Sequence, residues 1–147
     1  MKKIIALVII VMASIVTTHA QIRKVPATVT DAFKTQFAAA SQVEWKDRIT
    51  NFEASFKLNN INHTAKFTKE GTMIETTGEL DFVQLPSGVK DGFNKSKFSD
   101  WQVKAVITFQ ETDKPLYYRI TVKKNDITKR FLYFDKTGKL VKDTVTL

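Results

Sequence analysis

The chain has 147 residues, 43% of them hydrophobic, and carries 23 Lys and Arg against 15 Asp and Glu for a formal net charge of +8. It has no cysteine, which excludes a disulfide framework and any thiolate metal site. With two histidines and five glycines, it has little material for imidazole catalysis or for a glycine-rich phosphate loop.

The N-terminus reads as an export signal. Lys2 and Lys3 precede an apolar run, Ile4 to Val16, broken only by Ser14, and Thr18-His19-Ala20 supplies small residues ahead of a cut. The run is 13 residues long, short for a bilayer span, so residues 1–20 are expected to be a cleaved signal peptide. Cleavage after Ala20 leaves 147 − 20 = 127 residues starting at Gln21, with 21 basic and 15 acidic side chains and no further transmembrane segment. That length suits one compact domain, 25–146, in the periplasm or outside the cell. Export argues against a nucleic-acid partner although the charge would permit one.

From Val25 the period is helical. Pro26 suits a first helical position, and Val29, Phe33 and Phe37 fall at i, i+4 and i+8 on one apolar stripe. The period then changes to two. Val43 and Trp45 alternate with Glu44 and Lys46, then Phe52, Ala54, Phe56 and Leu58 alternate with polar residues, and so do His63, Ala65 and Phe67. This is the pattern of antiparallel strands with one buried face, and Asn59-Asn60-Ile61-Asn62 is turn chemistry between two of them. Sixty residues after Pro26, Val29 and Phe33 the stripe returns as Pro86, Val89 and Phe93. Phe98 comes one residue late there, and Gly88 and Gly92 each weaken this second helix by roughly 1 kcal/mol. A second echo links FTKEGTM at Phe67 to FDKTGKL at Phe134, each fitting a hairpin loop with a left-handed glycine, Gly71 and Gly138. The glycines are 138 − 71 = 67 residues apart, so the second half holds seven extra residues, placed near Pro115.

The expected architecture is therefore α+β: a tandem repeat of helix plus about four antiparallel strands, 21–84 and 85–147. The helices pack on one face of the sheet and the two units share one core.

On these residues the chain resembles a known family. Val25-Pro26, Val29 and Phe33 opening a helix, Val43 and Trp45 starting a strand, and Phe134-Asp135 with Gly138 and Leu140 in a hairpin are similar to the PepSY-like, or beta-lactamase-inhibitor-like, family of exported bacterial proteins. The resemblance implies a fold like that of the beta-lactamase inhibitory protein. It implies no catalytic residues, and no motif here matches that inhibitor's contact residues. The first copy departs from the pattern, with Thr68 where the second has Asp135.

Residue chemistry points away from catalysis. His63 is the only histidine past the signal, no serine has a nucleophile context, and the carboxylates Glu75, Glu79, Asp100, Asp113 and Asp126 form no singled-out pair. No catalytic residue, metal ligand or cofactor is expected. Binding is expected instead, and the two halves differ in how they could bind. Residues 21–84 hold eight basic and eight acidic side chains, whereas 85–147 hold 13 and seven, so the second half carries the whole +6. Aligned by the alternation, Tyr117, Arg119, Phe131 and Tyr133 face outward where the first half shows Glu53, Ser55, Lys57, Thr64 and Lys66. Tyrosine, phenylalanine and arginine are the residue types that anchor protein interfaces. The first expectation is thus a non-enzymatic binding module, inhibitor-like in kind, engaging an unidentified protein or peptide of the cell envelope. The alternative is an envelope protein that binds anionic polysaccharide or lipid headgroups through Lys123, Lys124, Lys129 and Arg130. Salt separates them, since anion binding weakens with ionic strength.

Overall fold

The computed structural model describes residues 24–146, so the signal-peptide reading of residues 1–20 lies outside the described residues. Helix α1 (Ala27–Gln36) is followed by β1 (Ser41–Arg48), β2 (Asn51–Leu58), β3 (Ile61–Phe67) and β4 (Met73–Leu80). A 3-10 turn, Phe82–Gln84, leads into α2 (Ser87–Asn94). Then come β5 (Gln102–Glu111), β6 (Tyr117–Lys123), β7 (Lys129–Phe134) and β8 (Leu140–Thr146). All eight strands form one antiparallel sheet in sequence order.

Each helix is seated by the stripe its spacing makes. Val29 and Phe33 of α1 are buried against Phe52, Ala54 and Phe56 of β2 and Ala65 and Phe67 of β3. Phe33 meets Phe56 edge to face at 5.0 Å and Trp45 at 5.4 Å. Val89 and Phe93 of α2 are buried with Leu85, Phe98, Val106, Ile120, Val122, Leu132 and Phe134. Full burial of a side chain such as Phe67 or Phe134 contributes about 1.5–3 kcal/mol of transfer free energy. The late Phe98 ends the helical period. Helix α2 stops at Asn94, and a turn held by the Ser96 hydroxyl donating to the Phe93 carbonyl (2.7 Å) brings Phe98 into the core.

Both hairpin glycines take the left-handed backbone that their motif predicts, Gly71 at φ 86° and Gly138 at φ 91°. In the second half the loop lies against α2 so closely that a β-carbon on Gly88 would fall 2.8 Å from the Thr137 carbonyl oxygen, and one on Gly92 would overlap the Gly138 carbonyl. The longer β5 and two five-residue connections, 112–116 and 124–128, against the two-residue turns 49–50 and 59–60, take up the second half's extra length, so it is shared between two loops rather than confined to the one near Pro115.

The architecture departs from the tandem α+β expectation. Strands β4 and β5 pair over six consecutive positions, from Glu75↔Glu111 to Leu80↔Val106, so hydrogen bonding runs unbroken across the expected boundary at residue 84/85. The described residues form a single, mostly β, eight-stranded sheet with two short α-helices of 10 and 8 residues. The expected common core is also replaced. Two separate apolar clusters form, because each helix is only long enough to cover the strands nearest to it.

Candidate docking face of the sheet

Alternation sends every second side chain to the face opposite the helices, and among the described residues no element covers that face. Cross-strand register orders it into transverse rows. One row runs Lys57, Asn62 on β3, Glu79, Ile107, Arg119, Tyr133 and Lys142. The next runs Glu44, Ser55, Thr64, Thr77, Phe109 and Tyr117.

Four polar pairs link side chains on the first half of this face. Lys66 pairs with Glu75 at 2.7 Å, Arg48 with Glu53 at 2.9 Å, Asn62 donates to Glu79 at 2.8 Å, and the Thr64 and Thr77 hydroxyls bond at 2.7 Å. The second half is aromatic. Tyr117, Arg119, Phe131 and Tyr133 all lie on the uncovered face and all are partly exposed. Arg119 lies opposite Tyr133, and its guanidinium carbon sits 4.4 Å from the Phe131 ring centre and 6.0 Å from that of Phe109. Phe109 meets Tyr133 edge to face at 5.5 Å, and the Lys142 ammonium lies 5.4 Å from the Tyr133 ring. Sequence reasoning missed Phe109, Ile107 and Lys142. The signal for the first two was the run Val106-Ile107-Thr108-Phe109, apolar on both faces, which a half-buried strand does not need.

Two shallow depressions mark this surface. One, of about 400 Å³, spans the halves and is lined by Glu44, Ser55, Thr64, Thr77, Ile107 and Arg119, among others. The other, of about 280 Å³, lies among Phe109, Glu111, Tyr117, Tyr133 and Lys142. At its rim the Lys114 ammonium bonds Glu111, which raises its pKa.

The four basic residues of the β6–β7 hairpin are not brought together on one surface. Lys123 pairs with Asp126 at 2.5 Å, and this hydrogen bond lowers the Asp126 pKa. Lys124 stands over the Trp101 ring at 5.9 Å, and Lys129 is exposed opposite Lys123. Arg130 lies opposite buried Val122 on the helix side, bonded to Asp143 at 3.1 Å and stacked over Phe98 at 5.7 Å. Two of the four charges are thus met by carboxylates.

His63 stacks on Phe56 at 5.6 Å, on the helix side, and its ring occupies the space where a side chain at Gly78 would stand. Among the described residues no group of three or more His, Asp or Glu is placed to hold a metal ion, and no helix is long and apolar enough to cross a membrane.

No protein-family model matches the chain, and no curated protein matches it. Solved structures do. A BLIP-like protein from Bacteroides fragilis superposes with a TM-score of 0.79 at 22% identity, covering 84% of this chain and 87% of that one. A DUF2874 family protein from Bacteroides ovatus gives 0.78 at 22%, covering 83% and 88%. A protein from Bacteroides eggerthii, provisionally described as periplasmic, gives 0.75 at 22%, covering 83% and 89%. The fold is BLIP-like. At this identity the likeness extends to the fold alone.

Proposed function

We propose that this protein is an exported, non-enzymatic binding module of the cell envelope, inhibitor-like in kind and related to the PepSY-like proteins its motifs resemble. It engages a protein or peptide through the open sheet face of its second half. The observation that carries this reading is the partly exposed group of Phe109, Tyr117, Arg119, Phe131 and Tyr133 on a face that no described element covers. Aromatic and arginine side chains concentrated at the centre of a concave or flat surface are the usual energetic anchors of interfaces. The matching first-half positions, Thr64 and Lys66, are polar and bonded to Thr77 and Glu75 on the next strand, so they contribute solubility rather than an anchor. The stacking of His63 against Phe56 supports the non-enzymatic part.

Affinity capture from a cell-envelope extract tests it, with mature protein beside a Tyr117→Ser/Phe131→Ser/Tyr133→Ser variant that circular dichroism shows to be folded. A partner kept by the wild type through a high-salt wash and lost by the variant supports the sheet face. Equal capture by both that disappears with salt transfers the function to Lys123, Lys124, Lys129 and Arg130 and an anionic polymer or headgroup.

A further inference from the structure

Arg119 differs from the other described arginines. Arg48 has Glu53 at 2.9 Å and Arg130 has Asp143 at 3.1 Å, but among the described residues no carboxylate reaches ion-pair distance of Arg119. Its Nε is buried and has no hydrogen-bond partner, a feature it shares with Arg130, so the missing carboxylate is what sets it apart. Its guanidinium carbon lies over the Phe131 ring, 4.4 Å from the ring centre, with the Phe109 centre at 6.0 Å. The residue lines the 400 Å³ depression together with Thr77, Ile107 and the carboxylates Glu44 and Glu79, neither of which is within ion-pair distance of it. Glu79 stands on the same transverse row two strands away, about 10 Å by strand spacing, and is engaged by Asn62.

A guanidinium keeps its charge at every ordinary pH, and a partly desolvated one without an acceptor is costly. The planar guanidinium is a rigid fork of N–H donors that a carboxylate meets with two parallel hydrogen bonds, and its contact with the Phe131 ring restricts where that fork can sit. Resting on the docking-face reading above, we propose that the partner presents an acidic side chain, Asp or Glu, to Arg119. Its flanking apolar residues lie on the shelf made by Phe109, Phe131 and Tyr133. Charge complementarity selects this occupant: the shelf is apolar, its one central charge is positive and unpaired, and Lys142 at 5.4 Å from Tyr133 adds a second positive charge on the same row.

The test uses random dodecapeptides displayed on phage, selected on the immobilised mature protein. Recovered peptides are then synthesised and measured by fluorescence anisotropy. Selected peptides are expected to carry Asp or Glu, and replacing it by Asn or Gln is expected to weaken binding by about tenfold or more. Arg119→Met, which keeps the apolar stem, gives a similar loss for the acidic peptide and no further loss for its amide. Arg119→Lys retains the charge without the fork and falls between. Thermal melts establish that each variant is folded; should Arg119→Met fail to fold, the lysine variant with the acid–amide peptide pair decides. Selected peptides without an acidic residue, or equal binding by wild type and Arg119→Met, overturn the proposal. Peptides that need Phe131 and Tyr133 but ignore Arg119 overturn it while leaving the docking face standing. Peptides indifferent to all three, or no selection at all, overturn both.

Discussion

The two helices rest on equivalent hairpin loops, but not at equal closeness. Over the first loop, a β-carbon on Gly71 would come 2.6 Å from the Thr28 carbonyl and 3.4 Å from the Ala32 β-carbon, so α1 keeps side chains at both positions. Over the second loop the equivalent helix positions are Gly88 and Gly92, and the Gly138 backbone fills the space their side chains would take. In sequence these glycines read as weak points of a helix. In the fold they permit backbone-to-backbone contact, and the lost helix propensity is offset by that closer packing. The open faces of the halves differ in a parallel way: Thr64 and Lys66 bond across the sheet, while Phe131 and Tyr133 form an aromatic shelf.

The severest way to break the comparison is to empty either core. Phe67→Ala and Phe134→Ala each remove a fully buried ring and are expected to cost about 3–5 kcal/mol. Because β4 and β5 pair without a gap, urea unfolding of either variant should follow one transition for the whole chain; two separated transitions would mean that the halves unfold independently. Next in size, Gly92→Ala should destabilise by roughly 1–3 kcal/mol through overpacking, although the same change gains helix propensity elsewhere. Its counterpart Ala32→Gly should cost about 1 kcal/mol. An unchanged melting temperature for Gly92→Ala would show that α2 can lift off its loop.

The smallest effect concerns the loop residues that differ. Asp135 accepts from the Thr137 hydroxyl at 2.6 Å and from the Thr137 and Lys139 amides at 2.8 and 3.1 Å, and these bonds, the hydroxyl foremost, lower its pKa. Thr68 receives the amides of Glu70 and Thr72 only at 3.3 Å each. A carboxyl with a depressed folded-state pKa stabilises above its unfolded value and loses that contribution as pH falls through the folded value. Asp135→Asn should therefore lower the melting temperature at neutral pH, with the difference from wild type shrinking below the ordinary aspartate value of 3.8. A difference constant from neutral pH to strong acid would remove the carboxylate's charge from the explanation.

Much of this was legible because period and turn chemistry are local. The stripe Val29–Phe33 names the buried side of α1, and Phe-x-Lys-x-Gly names two left-handed glycines. The outward side of Phe131 and Tyr133 followed from counting two residues at a time back from Phe134. What was not legible depends on partners distant along the chain. Nothing in the alternation of residues 73–80 says that they pair with 102–111, since any strand with one buried face reads the same, and so two units were expected where one sheet formed. The basic hairpin looked like a patch because Asp143, 13 residues beyond Arg130, is brought beside it only by β7–β8 pairing. Arg119 was placed correctly on its face, but its lack of a carboxylate is a property of its neighbours on β5 and β7.

The order of strands has a kinetic consequence. Six of the seven pairings join strands separated by two to five residues, and only the β4–β5 seam must close a longer segment, 81–101. Closing that segment costs about 1 kcal/mol more in chain entropy than a five-residue turn does. Each half can therefore assemble hairpin by hairpin, and the seam becomes the rate-limiting encounter. Conservative substitutions at Thr77 and Phe109, which face each other across it, should slow refolding, while those at the β1–β2 turn should chiefly speed unfolding. Chevron plots of the two sets that show the opposite partition would place the barrier inside a hairpin instead.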